Sequence, residues 1–335
     1  MNKVVALSIF IFILASAVVY LGIAAVLIMS VTPQEQSSDQ HGLAFKELFV
    51  DYAKLPPLRT FVARDGERLG YRYYPAQSDR VLILLHGAGW HSQCFLPLAE
   101  FISSEGLAEV FTPDLRGHGY APKRRGDVDY IGQLEDDQAD LISMIRKDKP
   151  NAMLIVGGHS SGGGLAIRFA GSPYGKQADA YLLLSPYLQY NAPTMRPNPG
   201  RFAQPYTRRI IGLTMLNNVG IPWFNYLTVV DLHMPKEARN GTETLSYSYR
   251  LNTSYAPRDY KKDLAAIKQP LLVVAGTADE LFLAERYEPV ISQVTKVNVK
   301  LLQDVSHLGI VISPGARAAI EEWLRDLGSP AIMGR

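Results

Sequence analysis

Apolar residues recur along this chain in three rhythms. The first is unbroken: Val4 to Met29 passes without a charge, an Asn, a Gln or a Pro. As a helix that stretch would measure about 39 Å at ~1.5 Å per residue, more than the ~30 Å hydrocarbon core of a bilayer. A secretory leader has an apolar run of only ~7–15 residues and then a small-x-small cleavage site. Leu27-Ile28-Met29-Ser30 offers no such site, so residues 1–30 are expected to form an uncleaved membrane anchor. Thr32–His41 is polar and lacks periodicity, and residues 31–55 read as a juxtamembrane tether. Lys3 precedes the span while Glu35 and Asp39 follow it. The positive-inside tendency then leaves the amino terminus cytoplasmic and the rest of the chain on the exported side.

The second rhythm is a series of short apolar runs. Arg80–Leu85, Ala152–Val156, Ala180–Leu184 and Leu271–Ala275 are continuous in Val, Ile and Leu, as parallel strands buried on both faces are. Val297–Leu302 alternates, as a strand nearer an edge does. Arg59–Arg64 and Leu69–Tyr74 flank Asp65-Gly66 like the arms of a hairpin. The third rhythm is helical: Leu134, Leu141, Ile142 and Ile145 share a face. So do Ile320, Trp323, Leu324 and Leu327, behind Ser313 as N-cap and Pro314, with Gly328 closing the helix. Strands alternating with helices predict a doubly wound, mostly parallel sheet over residues 56–330. The stretch between Ser185 and Leu271 is far longer than a crossover needs, and residues 190–262 are expected to form an inserted cap. Its aromatics (Trp223, Phe224, Tyr226, Tyr247, Tyr249) read as the cap's own small core, and Arg196, Arg201, Arg208 and Arg209 as a solvated face.

Composition narrows the chemistry. Thirty-four basic against 32 acidic residues give a net charge of +2, which offers no field for nucleic acid. The one cysteine, Cys94, excludes a disulfide framework and a Cys-based zinc site, and the seven histidines lack metal-binding spacing. No metal or organic cofactor is implied. Asn240-Gly-Thr242 and Asn252-Thr-Ser254 fit the N-glycosylation triplet, which also arises by chance.

Candidate chemistry lies where apolar runs end. Gly158-His159-Ser160-Ser161-Gly162 follows one strand and opens a helical pattern. Such a strand-to-helix turn exposes its central serine above a helix amino terminus. Ser160 is the candidate nucleophile. His307 follows the last strand and is the candidate base; Asp279, in Gly276-Thr-Ala-Asp279, is the acid that would orient it. Glu280 is the neighbouring carboxylate, and its side chain should point away from the first. An oxyanion needs preset N–H donors. Ser161, after the nucleophile, and Ala88, in His86-Gly-Ala-Gly-Trp90, are the candidates, with His86 read as a structural loop residue.

These motifs, together with Asp114-Leu-Arg-Gly-His-Gly119 and Ser306-His307, occur in an order that resembles the α/β-hydrolase superfamily. Within it the likeness is to the monoacylglycerol lipase and lysophospholipase group, which merges with prolyl-aminopeptidase-like serine hydrolases. It covers about Thr60 to Leu327. The resemblance implies an α/β-hydrolase fold, the triad Ser160, Asp279 and His307, oxyanion donors at Ala88 and Ser161, and an architectural role for Asp114 and His118. Ser161 stands where a bulkier residue is usual, and the cap shows no similarity. The implied function is a serine hydrolase cleaving acyl esters, with monoacylglycerols or lysophospholipids as substrates. Two alternatives stay open. An aminopeptidase would need a cap carboxylate, such as Glu237, Glu243 or Asp231, for the substrate amine. A non-catalytic binding module would keep only the fold. Oligomeric state has no signal in the sequence.

Overall fold

A computed structural model describes residues 3–30, 42–200 and 202–327. The first part of the expected tether, residues 31–41 with Glu35 and Asp39, falls outside the described residues, as do Arg201 and Gly328. Helix α1 (Lys3–Met29) is the apolar segment, with a mean hydropathy of 2.8 over its best window. The main sheet holds β1 (Arg59–Val62), β2 (Arg68–Tyr74), β3 (Arg80–Leu85), β4 (Glu109–Pro113), β5 (Met153–His159) and β6 (Ala180–Leu184). A separate sheet of β7 (Ala203–Pro205), β8 (Thr228–Leu232) and β9 (Ser246–Ser248) intervenes before β10 (Leu271–Gly276) and β11 (Asn298–Leu302) complete the main one. Its order is β1-β2-β4-β3-β5-β6-β10-β11. β1 and β2 are antiparallel, β2 joins β4 antiparallel, and every pairing from β4 to β11 is parallel.

The continuous apolar runs follow from burial on two sides. Val81, Ile83 and Leu85 of β3 face one core with α3 (Gln133–Asp148) and α4 (Ser161–Ala170). Leu82 and Leu84 face the other, with α2 (Leu96–Ser104) and α9 (Pro314–Asp326). Each such side chain contributes roughly 1.5–3 kcal/mol of burial. Ser313 caps α9, its hydroxyl accepting the Ala316 N–H at 3.4 Å. Strand β4 was not legible as a strand, because Glu109 opens it and Pro113 closes it. Glu109 is buried because the Tyr73 hydroxyl at 2.7 Å and Lys149 satisfy it.

The three-stranded antiparallel sheet packs with α5 (Thr207–Asn218), and α6 (Tyr249–Ser254), α7 (Tyr260–Ala265) and α8 (Tyr287–Ile291) complete the helices described. The aromatics expected to form one small core separate into two groups. Tyr247 and Tyr249 are buried, whereas Trp223, Phe224 and Tyr226 are exposed. Nor are the arginines one solvated face. Arg208 is exposed, but Arg196 donates to the Asp279 carbonyl at 2.7 Å and Arg209 to the Thr228 carbonyl at 2.7 Å. Past the undescribed stretch, Leu43, Phe45 and Leu48 are buried against the domain.

Candidate active site

Three parallel strands deliver the candidate residues to one edge of the sheet. β5 ends at His159, α4 begins at Ser161, and Ser160 between them has φ 55° and ψ −121°. A non-glycine residue at positive φ is strained and persists only where its surroundings fix it. Here the Ser160 N–H donates to Leu184 O at 3.0 Å, and its carbonyl accepts from Gly164 at 3.0 Å and Tyr187 at 2.9 Å. The glycines are steric requirements: a Cβ on Gly158 would overlap the backbone of Gly162, and one on Gly162 the backbone of Leu85.

Asp279 sits in the turn after β10 and His307 in the loop after β11. Both are buried, and His307 Nδ1 meets Asp279 Oδ2 at 2.8 Å. A carboxylate acceptor assigns the ring proton to Nδ1, which leaves Nε2 with the lone pair a base uses. The other carboxyl oxygen, Oδ1, accepts the N–H groups of Leu281 at 2.8 Å and Phe282 at 2.9 Å. Burial acts to raise the Asp279 carboxyl, but the charge and hydrogen bond of His307, aided by those N–H groups, hold it below the ordinary carboxylate range.

The residue before Ser160 touches the loop that carries His307. His159 Nε2 lies 2.9 Å from the His307 carbonyl, and the two rings are 4.7 Å apart. Burial, with the His307 charge, pushes His159 down to about 3, so its ring is neutral and holds the His307 loop as an N–H donor. Among the described residues the Ser160 hydroxyl makes no hydrogen bond to the His307 ring. In substrate-free enzymes such bonds are often long and tighten on binding.

The His86–Trp90 loop lies directly against the nucleophile turn. A Cβ on Gly87 would stand 3.2 Å from Ser160 Cβ. Among the described residues the Ala88 N–H donates to no other group. Ser161 is the first residue of α4, where an N–H has no intrahelical acceptor. Both candidate donors thus border the serine. His86 is fully buried; its Nε2 accepts the Leu115 N–H at 3.1 Å, and burial lowers it to about 4. Asp114 Oδ1 accepts the Ser92 N–H at 2.9 Å, and both residues brace the loop.

Several contributors had no signal in the sequence. Glu280, weighed there only as a rival acid, accepts the His307 N–H on Oε2 at 2.8 Å and the Ala44 N–H on Oε1 at 3.0 Å. Tyr247 of β9 accepts the Gly89 N–H at 2.7 Å and meets His118 Nε2 at 2.7 Å. Tyr255 donates to the His86 carbonyl at 2.6 Å. These depend on tertiary contacts between distant segments, which no local pattern encodes. Among the described residues no cluster of His, Cys, Asp or Glu is arranged to hold a metal.

Comparison with known proteins adds to this geometry. A family model described as serine aminopeptidase, S33, matches residues 76–309. The monoglyceride lipase of Homo sapiens is 26% identical over 247 residues, 69% of this chain and 75% of that protein. Among solved structures, a soluble variant of monoglyceride lipase from Saccharomyces cerevisiae, in complex with a substrate analog, superposes with a TM-score of 0.61. It is 18% identical, over 82% of this chain and 96% of that one. A membrane phospholipase A, described as a bacterial virulence factor, gives a TM-score of 0.57 at 17% identity over 100% of both chains.

Proposed function

The chain belongs to the serine aminopeptidase (S33) family of α/β-hydrolases, and from that premise we propose that it is a membrane-anchored enzyme cleaving lipid acyl esters through Ser160, His307 and Asp279. A serine ester hydrolase of the lipase type is the general activity that the family and its monoglyceride lipase relatives support. The observation that carries the finer reading is the 2.8 Å bond from His307 Nδ1 to Asp279, made beside the strained turn at Ser160.

In this reading His307 Nε2 takes the proton of Ser160 Oγ as that oxygen attacks the ester carbonyl. The carbonyl oxygen gathers negative charge facing the N–H groups of Ala88 and Ser161, while Asp279 stabilises the imidazolium. The imidazolium returns its proton to the departing alcohol. Water, deprotonated by His307, then attacks the acyl-enzyme; the bond to Ser160 Oγ breaks, His307 returns the proton to that oxygen, and the carboxylic acid is freed. No step requires a metal or a cofactor.

Monoacylglycerols or lysophospholipids are the proposed substrates, supported by the names of the relatives and by α1 as an anchor in the bilayer where such lipids reside. The flanking charges favour a cytoplasmic amino terminus and an exported catalytic domain. Of the cap carboxylates an aminopeptidase could use, Glu237 is exposed and the other two are already engaged. Glu243 is occupied by the N–H groups of Asn240 and Gly241, and Asp231 by the Tyr206 hydroxyl.

The test is hydrolysis of p-nitrophenyl esters of graded chain length by the wild type and by Ser160→Ala. Removal of the nucleophile is expected to cost at least ~10³-fold in rate. Equal rates would refute the assignment.

A further inference from the structure

Helix α1 packs against the catalytic domain over its last third. The Tyr20 hydroxyl donates to the Met215 carbonyl at 3.0 Å, and the Ile28 carbonyl accepts from Arg209 Nε at 3.2 Å. Between them Ala24 is buried, and its carbonyl lies 2.7 Å from where a Cβ on Gly212 would stand. The contacts climb α1 through 20, 24 and 28 and descend α5 through 215, 212 and 209. The helices are therefore antiparallel, each using one face, and glycine at 212 is what permits the close approach.

Depth follows from the pairing. A helix of 27 residues is about 40 Å long, so one centred in a ~30 Å hydrocarbon core overshoots it by about 5 Å at each end. Tyr20 then lies about 9 Å below the boundary on the domain side, and Met215 lies level with it. The turn that follows α5 is at least as deep. It is capped by exposed apolar side chains: Trp223 is 74% exposed, Tyr226 55% and Phe224 41%. Asn218 at the end of α5 is exposed, but the other Asn and Thr side chains here are paired. Asn217 and Asn225 exchange amide hydrogen bonds at 2.7 and 2.9 Å, and Thr214 donates to the Ile210 carbonyl at 2.8 Å. Arg208, exposed in the first turn, stands at the level of the head groups.

The geometry points to a lipid bilayer as the occupant of this surface: α5 and the turn Val219–Tyr226 enter the near leaflet alongside α1. The occupant is argued from continuity, since the patch extends the bare apolar surface of α1, and from depth, since the pairing with α1 carries the turn at least ~9 Å below the hydrocarbon boundary. Through Arg209, which bridges the Ile28 and Thr228 carbonyls, the anchor is joined to β8. β8 in turn carries Leu232 to the oxyanion loop at Gly89. The anchor thus sets the height of the cap over the membrane. This inference rests on the anchor reading proposed above.

The test uses the full chain in phosphatidylcholine vesicles with brominated acyl chains. Trp90 and Trp323 are only 7% and 5% exposed, so lipid quenching should report Trp223. Strong quenching in the wild type that is lost in Trp223→Phe is expected. Gly212→Leu, which drives α5 off α1, should lose that quenching and the hydrolysis of vesicle-borne long-chain ester while keeping p-nitrophenyl butyrate hydrolysis. Release of the protein by alkaline carbonate would overturn the anchor reading, and this inference with it. Retention with equal quenching in wild type and Trp223→Phe would overturn the inference alone. So would Trp223 cross-linking to a second copy without quenching.

Discussion

Three histidines packed beneath the site carry a cost that pH exposes. Burial lowers His86 to about 4 and His159 to about 3; it also drives His118 well below its ordinary value, helped by the nearby His86. An unfolded histidine titrates near ~6.5. Below that pH the unfolded chain binds protons that the folded chain refuses, so the stability these rings confer is complete above ~6.5 and lost as pH falls towards their folded values. At pH 5 the loss is on the order of 2 kcal/mol each for His86 and His159, with His118 acting in the same direction. Thermal unfolding followed from pH 7.5 to 5 should show a steadily falling Tm. A flat Tm across that window would contradict neutral burial. Asp279 acts lower on the scale: its stabilisation is present above ~3.9 and is lost as pH falls from there.

Between elements, the cap grips the oxyanion loop. Tyr247 on β9 accepts the Gly89 N–H, and the Thr244 N–H donates to the Gly89 carbonyl at 3.1 Å. In the proposed mechanism Tyr247 is therefore a positioning residue for the Ala88 N–H. Loss of one oxyanion donor costs ~10²–10³ in kcat, so loosening its loop through Tyr247→Phe should lower kcat about tenfold. KM for a short ester should barely move; a change confined to KM would show that the hydroxyl serves only structure. At this scale the sequence is also unevenly readable. The strands under the site were legible because burial on both faces makes runs such as RVLILL. The candidates Ser160 and Asp279 each follow such a run, whereas His307 follows the alternating Val297–Leu302. β4 was hidden by its charged and prolyl ends, β7 and β9 at three residues each are too short to show a period, and Asp231 interrupts the apolar run of β8. Glu280 illustrates the remainder: its place beside Asp279 suggested a rival acid, and only the fold turns its carboxylate to the His307 backbone.

As a whole molecule, the chain braces its histidine loop from the short segment at residues 44–47. Glu47 accepts the Ser306 hydroxyl, the Ser306 Oγ accepts the Gly309 N–H at 2.9 Å, and the Ala44 N–H binds Glu280. Residues 44–47 thereby hold the histidine loop, while α5 separately ties α1 to β8. All of this converges on one oxygen atom being nucleophilic. The most direct measurement is to label the full-length protein with a fluorophosphonate and map the adduct by mass spectrometry. The account predicts a single modified residue, Ser160, with labelling abolished in Ser160→Ala and strongly slowed in His307→Ala. An adduct on another residue, or undiminished labelling of Ser160→Ala, would contradict it.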